Sequence, residues 1–401
     1  MPERVFIVGA KRTAIGKLGG ALKDVNPVEL AAELIRGLLA ATGIAPGSVD
    51  QVHLGCCAQC QANEAVAPVI ARQALLKAGL PVSVLSSTVD RACTSGTWAV
   101  KVGFDAIRLR EADIVVAGGT EVMSRTPHIA RGLRWGVRLG AVALEDPLYP
   151  LAYADYKPVA REVGEVAVAY GVTRALQDDW AYRSQARYEA ARQKGLWREE
   201  ILPVEVKGQK AAVLFAADEF PKPETTPESL AGLKTVFGSP TVTAGNAPGL
   251  NDGAAALVLV GETRLQELGL KPLAEIIAFH SAGDEPKYMG RVPGAAIRGL
   301  LAKSGLTVDA LTCIEINEAF AAVPLISSLV LADNDAAGTA AVRDKINVNG
   351  GAVAMGHPVG ATGARIMVTL LHELRRRGGG YGAASLCGGL AQGDAFLLRV
   401  D

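Results

Sequence analysis

Three short segments hold residue types that could do covalent chemistry. Cys93 lies in Asp90-Arg91-Ala92-Cys93-Thr94-Ser95-Gly96, a small-residue turn between an apolar strand and a helix. A thiol at a helix N-terminus meets backbone N–H groups and the positive end of the macrodipole, which favour its thiolate. A tight turn also leaves a substrate carbonyl room to approach. Alone the signal is weak, because a packed cysteine before a helix is commoner than a reactive one. The second segment, Asn349 to Gly363, sets Gly350, Gly351, Gly356, Gly360 and Gly363 around His357-Pro358. Glycine weakens ordinary helix and strand, so this density suits backbone that approaches a ligand. His357 at its rim then serves as an acid–base group or oxyanion donor. The third is Ser385-Leu386-Cys387-Gly388-Gly389, which ends a central strand with Cys387. Doubly wound sheets bind their ligands at such strand ends.

The elements that must position these groups form two similar series. In the first, a strand at Gln51–Leu54 precedes the Cys93 turn. A helix with Val100, Phe104 and Ile107 on one face follows, then a strand Ile114–Ala117 ending in Gly118-Gly119. In the second, a strand Cys313–Ile316 precedes a turn Gly360–Gly363. A helix carrying Met367, Leu371 and Leu374 follows, then a strand Ala383–Leu386 ending in Gly388-Gly389. Apolar strands alternating with amphipathic helices predict βαβ units around a sheet buried on both faces. Their repetition predicts a duplicated α/β domain with a pseudo-two-fold. Between the copies, residues 121–243 are richer in charge and aromatics, with Arg131, Trp135, Tyr149, Tyr153 and Tyr156. A helix is predicted over Thr173–Lys194 and turns over Pro221–Pro227. The segment reads as an excursion that covers a ligand.

Composition excludes several classes. Lys plus Arg and Asp plus Glu both number 41, so no basic field attracts nucleic acid. The Val5–Val8 run is strand-length and is cut off by Lys11 and Arg12, unlike an export signal. The apolar stretch Phe320–Ala332 is too short for a membrane span. These features predict a soluble, cytoplasmic protein with no membrane partner. Six cysteines are scattered without a disulfide framework. Cys57-Ala58-Gln59-Cys60 lacks a second pair or a clustered histidine, so no metal site is expected and packed thiols are the plainer reading.

Over its whole length the chain resembles the thiolases. The resemblance rests on the Cys93 turn, Asn317-Glu318-Ala319-Phe320, the glycine-histidine segment and Cys387-Gly388-Gly389. It rests also on Thr243-Ala244-Gly245-Asn246 with Asn251-Asp252-Gly253-Ala254, and on Pro286-Lys287-Tyr288-Met289-Gly290. Six motifs in order are specific where any one is not. The resemblance implies a thiolase-like α/β fold, with duplicated βαβ domains in a layered α/β/α/β/α core and an inserted loop domain. The divisions are 1–120 plus 244–268 for the N-terminal half, 121–243 for the loop domain and 269–401 for the C-terminal half. It further implies an acyl-CoA:acetyl-CoA C-acyltransferase, reversible between Claisen condensation and thiolysis of 3-ketoacyl-CoA. In that scheme Cys93 takes the acyl group, His357 activates it, and Cys387 removes the α-proton of acetyl-CoA. Asn317, through a water, and His357 form one oxyanion hole, and the backbone N–H groups of Cys93 and Gly389 form the other. Ala244 and Pro248 stand at coenzyme A positions, and Met289, Ala319 and Phe320 line the acyl and pantetheine tunnel. No cofactor is held permanently, since coenzyme A and acyl-CoA are substrates. A homodimer or homotetramer is implied, and the family's pattern, with a chain of zero formal net charge, suits self-association.

The match breaks in places. Where the family has His-Met-Gly followed by Thr-Ala-Glu, this chain has Pro158-Val159-Ala160-Arg161-Glu162-Val163-Gly164-Glu165; a serine gives way to Pro248, and Leu390 and Ala391 replace glycines. Val159 in place of methionine predicts a wider acyl pocket, with activity on acetoacetyl-CoA and on somewhat longer or branched 3-ketoacyl-CoAs, unless Tyr153 or Tyr156 fills the space. Two rivals share the fold: a decarboxylating ketosynthase, which pairs its cysteine with histidines or with histidine and asparagine, and a non-catalytic lipid or CoA carrier. Cys387 at the last position argues against the first, and retention of Cys93, His357, Asn317 and Cys387 against the second.

Overall fold

The computed structural model describes residues 2–62, 68–208 and 211–401. Its strands are β1 (Val5–Arg12), β2 (Gly16–Lys17), β3 (Gln51–Gly55), β4 (Leu85–Val89), β5 (Ile114–Val122), β6 (Val204–Lys207), β7 (Ala212–Phe215), β8 (Asn251–Gly261), β9 (Ala274–Gly283), β10 (Leu311–Ile316), β11 (Gly380–Gly388) and β12 (Gln392–Val400). One sheet runs β10-β11-β12-β9-β1-β8-β5-β3-β4, with β2 on β8, and β6 and β7 form a separate hairpin. Outward from the β1–β9 joint the two arms follow the same plan. Each has an antiparallel long strand, then the strand after a central helix, then the parallel strand before it. The fifth place, filled by β4 in the first arm, holds only a single bridge, Ile314 to Ile346, in the second. At the joint just three residue pairs connect β1 and β9, so the arms can fold over one another into layers.

What fills the space between the arms is a pair of helices, Ser95–Arg108 and Val359–Arg376. Val100, Phe104, Ile107, Met367, Leu370, Leu371 and Leu374 form one cluster with Val115, Leu257 and Leu259 from the first arm and Ala384, Leu386, Phe396 and Leu398 from the second. Outside the first arm, helix Pro27–Thr42 buries Leu30, Leu34, Ile35 and Leu38 against Val52, Leu54, Val116 and Val258. Outside the second, helices Val292–Ser304 and Ala322–Leu331 bury Ile297, Leu300, Val323 and Ile326 against Ile314, Ile316 and Leu397. The result is the five-layer α/β/α/β/α arrangement. Burial of each such side chain is worth roughly 1.5–3 kcal/mol. These three clusters therefore set the distance between the two central helices, and with it the geometry of the site.

Two local readings change. β1 does not stop before Lys11 but continues through Arg12. The Arg12 guanidinium is fully buried, yet it bonds Asp218 at 2.7 and 3.0 Å and Glu200 at 3.2 Å, so its charge is matched rather than stranded. Gly360–Gly363 is no free turn but the first turn of helix Val359–Arg376. In the segment that joins β5 to β8, the predicted Thr173–Lys194 helix forms over Arg174–Gln193, capped by the Thr173 hydroxyl, which accepts from Leu176 N at 3.3 Å. Among the described residues no helix is long and apolar enough to cross a membrane.

Candidate active site

The N-termini of the two central helices meet, and glycine is what lets them. A Cβ on Gly363 would stand 2.3 Å from Thr97 N, and one on Gly119 2.0 Å from Gly360 O. Gly356, at φ 106°, packs against the Asn251 amide. The glycines around His357 thus serve backbone against protein, not backbone against ligand as their density suggested. Glu121 tightens the junction. It is buried at the end of β5 and accepts from Gly360 N at 2.7 Å, Cys57 N at 2.9 Å and Ala58 N at 3.1 Å, a carboxylate placed on a helix N-terminus.

On the first helix, Cys93 sits two residues before Ser95, reached through Ala92 at φ 50°. A non-glycine residue there costs about 1–3 kcal/mol and persists only where its surroundings hold it. Here Ala92 N donates to Asp90 Oδ1 at 2.9 Å, while Ser95 Oγ and the Cys57 thiol both donate to Ala92 O, at 2.6 and 3.0 Å. Arg91 is bound to Asp394 at 3.0 Å and lies 4.0 Å over the Trp98 ring, tying the turn to β12. Cys57 therefore supports the Cys93 turn, and Cys60 is exposed. Among the described residues no group of three or more His, Cys, Asp or Glu could hold a metal.

His357 lies two residues before the second helix. Its Nε2 lies 3.2 Å from Cys93 Sγ, and its Nδ1 lies 2.7 Å from Thr362 Oγ1. The Thr362 hydroxyl has one proton and donates it to Pro358 O at 2.9 Å. Toward His357 it can only accept, so Nδ1 carries the ring hydrogen and Nε2 presents a lone pair to the thiol. Asn251 Oδ1 accepts from His357 N at 2.9 Å and fixes the ring's base. Asn317 Nδ2 stands 3.4 Å from the same Nε2, and its buried Oδ1 meets no protein donor. Cys387 lies wholly buried near the end of β11.

Burial governs the charge states. It pushes the Cys93 thiol up to about 12, against a smaller opposing effect of backbone N–H. It pushes His357 down to about 3, helped by the charge of Arg365. Cys387 is raised by burial and then by the neighbouring Cys93. Burial thus opposes the thiolate that the helix end favours, and opposes the imidazolium as well. Loss of water outweighs what the helix end returns.

The structure brings Cys93, His357, Asn317 and Cys387 together. Gly389, one residue beyond β11, carries the Tyr153 hydroxyl against its Cα. Met289 and Ala319 are buried in the outer cluster of the second arm, with half-buried Phe320 against it. Ala244 is exposed and Pro248 half-buried, in the turn that leads to the Leu250–His357 bridge. Asn246 organises that turn through Thr243 N and Asp178, and its carbonyl accepts from Ala321 N. Thr362, Asn251 and Glu121 were not singled out from sequence. The first two stand inside recognised motifs, and Glu121 follows the Gly118-Gly119 strand end.

A thiol 3.2 Å from a tautomer-fixed imidazole, with a second buried thiol near it on a five-layer α/β core, is a set of groups suited to acyl transfer through a thioester. The chain matches the thiolase N-terminal domain over residues 5–263 and the thiolase C-terminal domain over 270–400. It is 44% identical to an acetyl-CoA acetyltransferase of Chromobacterium violaceum, covering 98% of this chain and 99% of that one. The structure of the Bacillus anthracis acetyl-CoA acetyltransferase superposes with a TM-score of 0.93 at 40% identity, covering 99% of both chains. Human mitochondrial 3-ketoacyl-CoA thiolase in complex with CoA superposes with a TM-score of 0.92 at 38% identity, covering 100% of this chain and 98% of that one. The chain belongs to the thiolase family and is an acyl-CoA C-acyltransferase.

Proposed function

We propose that Cys93 carries the acyl group, His357 is its base, and Cys387 handles the α-proton in the reversible condensation and thiolysis of 3-ketoacyl-CoA. The observation that carries this is the 3.2 Å contact between Cys93 Sγ and His357 Nε2, with the lone pair held there by Thr362. In the condensation direction Nε2 takes the Cys93 proton as sulfur attacks the thioester carbonyl. The departing coenzyme A thiolate takes a proton from Cys387, leaving imidazolium and a Cys387 thiolate. That thiolate, raised in basicity by burial, removes the α-proton of acetyl-CoA. The carbanion attacks acyl-Cys93, and the released Cys93 thiolate recovers its proton from His357, so protons balance over the cycle. Cys93 N and Gly389 N receive the thioester oxygen, and Nε2 with a water held by Asn317 receives the enolate oxygen.

Residues 121–243 act as the loop domain between the halves 1–120 plus 244–268 and 269–401. Ala244 and Pro248 line the coenzyme A side, and Met289, Ala319 and Phe320 the tunnel. A cytoplasmic homodimer or homotetramer is the working form. Support for the assembly comes from the edge strand β4 with exposed Leu85, and from Trp135 and Leu139, 88% and 93% exposed. Cys387→Ser tests the division of labour, because a hydroxyl is a far weaker acid than a thiol. The variant is expected to acylate Cys93 yet lose exchange of the acetyl-CoA α-proton with solvent. Exchange at the native rate would place the base elsewhere.

A further inference from the structure

We propose that Tyr153 caps the acyl site and sets the length of chain that Cys93 accepts, an inference that rests on the thiolase reading above. Tyr153 belongs to the segment between β5 and β8 and, like most of its neighbours there, faces solvent in part, being 39% exposed. Its phenol turns inward. The hydroxyl comes within 2.4 Å, and Cζ within 3.0 Å, of the point where a Cβ on Gly389 would stand, with Ala92 Cβ 3.2 Å from the same point. Only the missing side chain of Gly389 admits the ring tip. The turn behind it is closed by Tyr156 N donating to Tyr153 O at 3.1 Å, with Leu151 and Asp155 in the left-handed region at φ 56° and 67°. Partial burial, followed by the charges of Cys93, Cys57, Asp90 and Cys387, holds the phenol above its ordinary range.

An acyl group on Cys93 whose carbonyl oxygen is received at Cys93 N and Gly389 N sends its tail past Gly389. The Tyr153 tip stands on that path. Val159, which sequence reasoning made the widened wall, begins helix Val159–Ala169 and packs against the outer cluster of the second arm. Met289, the retained wall, is buried in that same cluster. Val159 and Met289 share the outer cluster with Cys387, whereas Tyr153 is the residue that reaches Gly389. Its bulk, not its hydroxyl, is the limit: a two-carbon acyl group fits beneath the ring, and each further methylene must displace it.

The test is the ratio of kcat/KM for 3-ketohexanoyl-CoA to that for acetoacetyl-CoA in thiolysis, for wild type, Tyr153→Ala, Tyr153→Phe and Tyr153→Trp. A methylene accommodated in an apolar pocket is worth about four-fold. The two extra methylenes of 3-ketohexanoyl-CoA should therefore raise the ratio at least about ten-fold in Tyr153→Ala. Tyr153→Phe keeps the ratio within about two-fold, and Tyr153→Trp lowers it several-fold, a result that stands even if the alanine variant is poorly folded. A ratio unmoved in both the alanine and tryptophan variants overturns the cap. So does a Tyr153→Phe ratio that shifts as far as that of Tyr153→Ala, since the hydroxyl would then be the determinant. Acetylation of Cys93 by acetyl-CoA, followed in the same samples, separates the two levels. Wild type without an adduct fails the thiolase reading, whereas an adduct with an unmoved ratio fails the cap alone.

Discussion

Replacing Thr362 by valine isolates the tautomer lock, because valine keeps the shape and removes the one acceptor at His357 Nδ1. The bond lost is 2.7 Å long and buried. A buried N–H left without an acceptor costs about 1–3 kcal/mol, which corresponds to roughly five- to 150-fold in rate. The cost falls on acylation, since the ring can relieve it only by moving its proton to Nε2, where it blocks the lone pair facing Cys93. A rapid-quench single turnover with acetyl-CoA reads the rate of Cys93 acetylation directly. Thr362→Val is expected to slow it by that factor, and Thr362→Ser to restore most of it. Acetylation in Thr362→Val within two-fold of wild type would refute the argument that Thr362 sets the proton position.

Two further outcomes follow from the same geometry. The Cys93 thiol is raised to about 12, so its alkylation by iodoacetamide should climb about ten-fold per pH unit from 6 to 9. His357, near 3, adds no step in that range, and a plateau at neutral pH would reveal a resting ion pair instead. Gly363→Ala drives a Cβ to 2.3 Å from Thr97 N, so a loss of about 1–3 kcal/mol in urea unfolding is expected, with acylation falling further than stability. Unchanged stability and rate would show that the helices do not rely on that approach.

How far the sequence reveals this molecule depends on the range of each interaction. The central helices are legible because Val100, Phe104 and Ile107, or Met367, Leu371 and Leu374, repeat with a local period. Cys93, His357 and Cys387 are legible because thiol and imidazole among glycines are rare types in rare company. The purpose of those glycines is not, since Gly363 answers to Thr97 and Gly119 to Gly360 across the fold. Arg12 reads as the end of a strand until Glu200 and Asp218 arrive to match it. The helix position of Cys93 was readable and the burial around it was not. A helix end is a local feature, while the burial that overrides it is assembled from both arms. Tyr153 was one of two residues that could fill the space at Val159, and the turn through Leu151 and Asp155 that sets Tyr153 against Gly389 has no local signal.

The central claim is that Cys93, not Cys387, forms the covalent bond to the acyl group. Intact-protein and peptide mass spectrometry after brief incubation with acetyl-CoA tests it most directly. The account predicts one acetyl group, about 42 Da heavier by the chemistry of thioester formation, on the peptide containing Cys93, present in Cys387→Ser and absent in Cys93→Ala. An adduct on Cys387, or one that survives in Cys93→Ala, would contradict it.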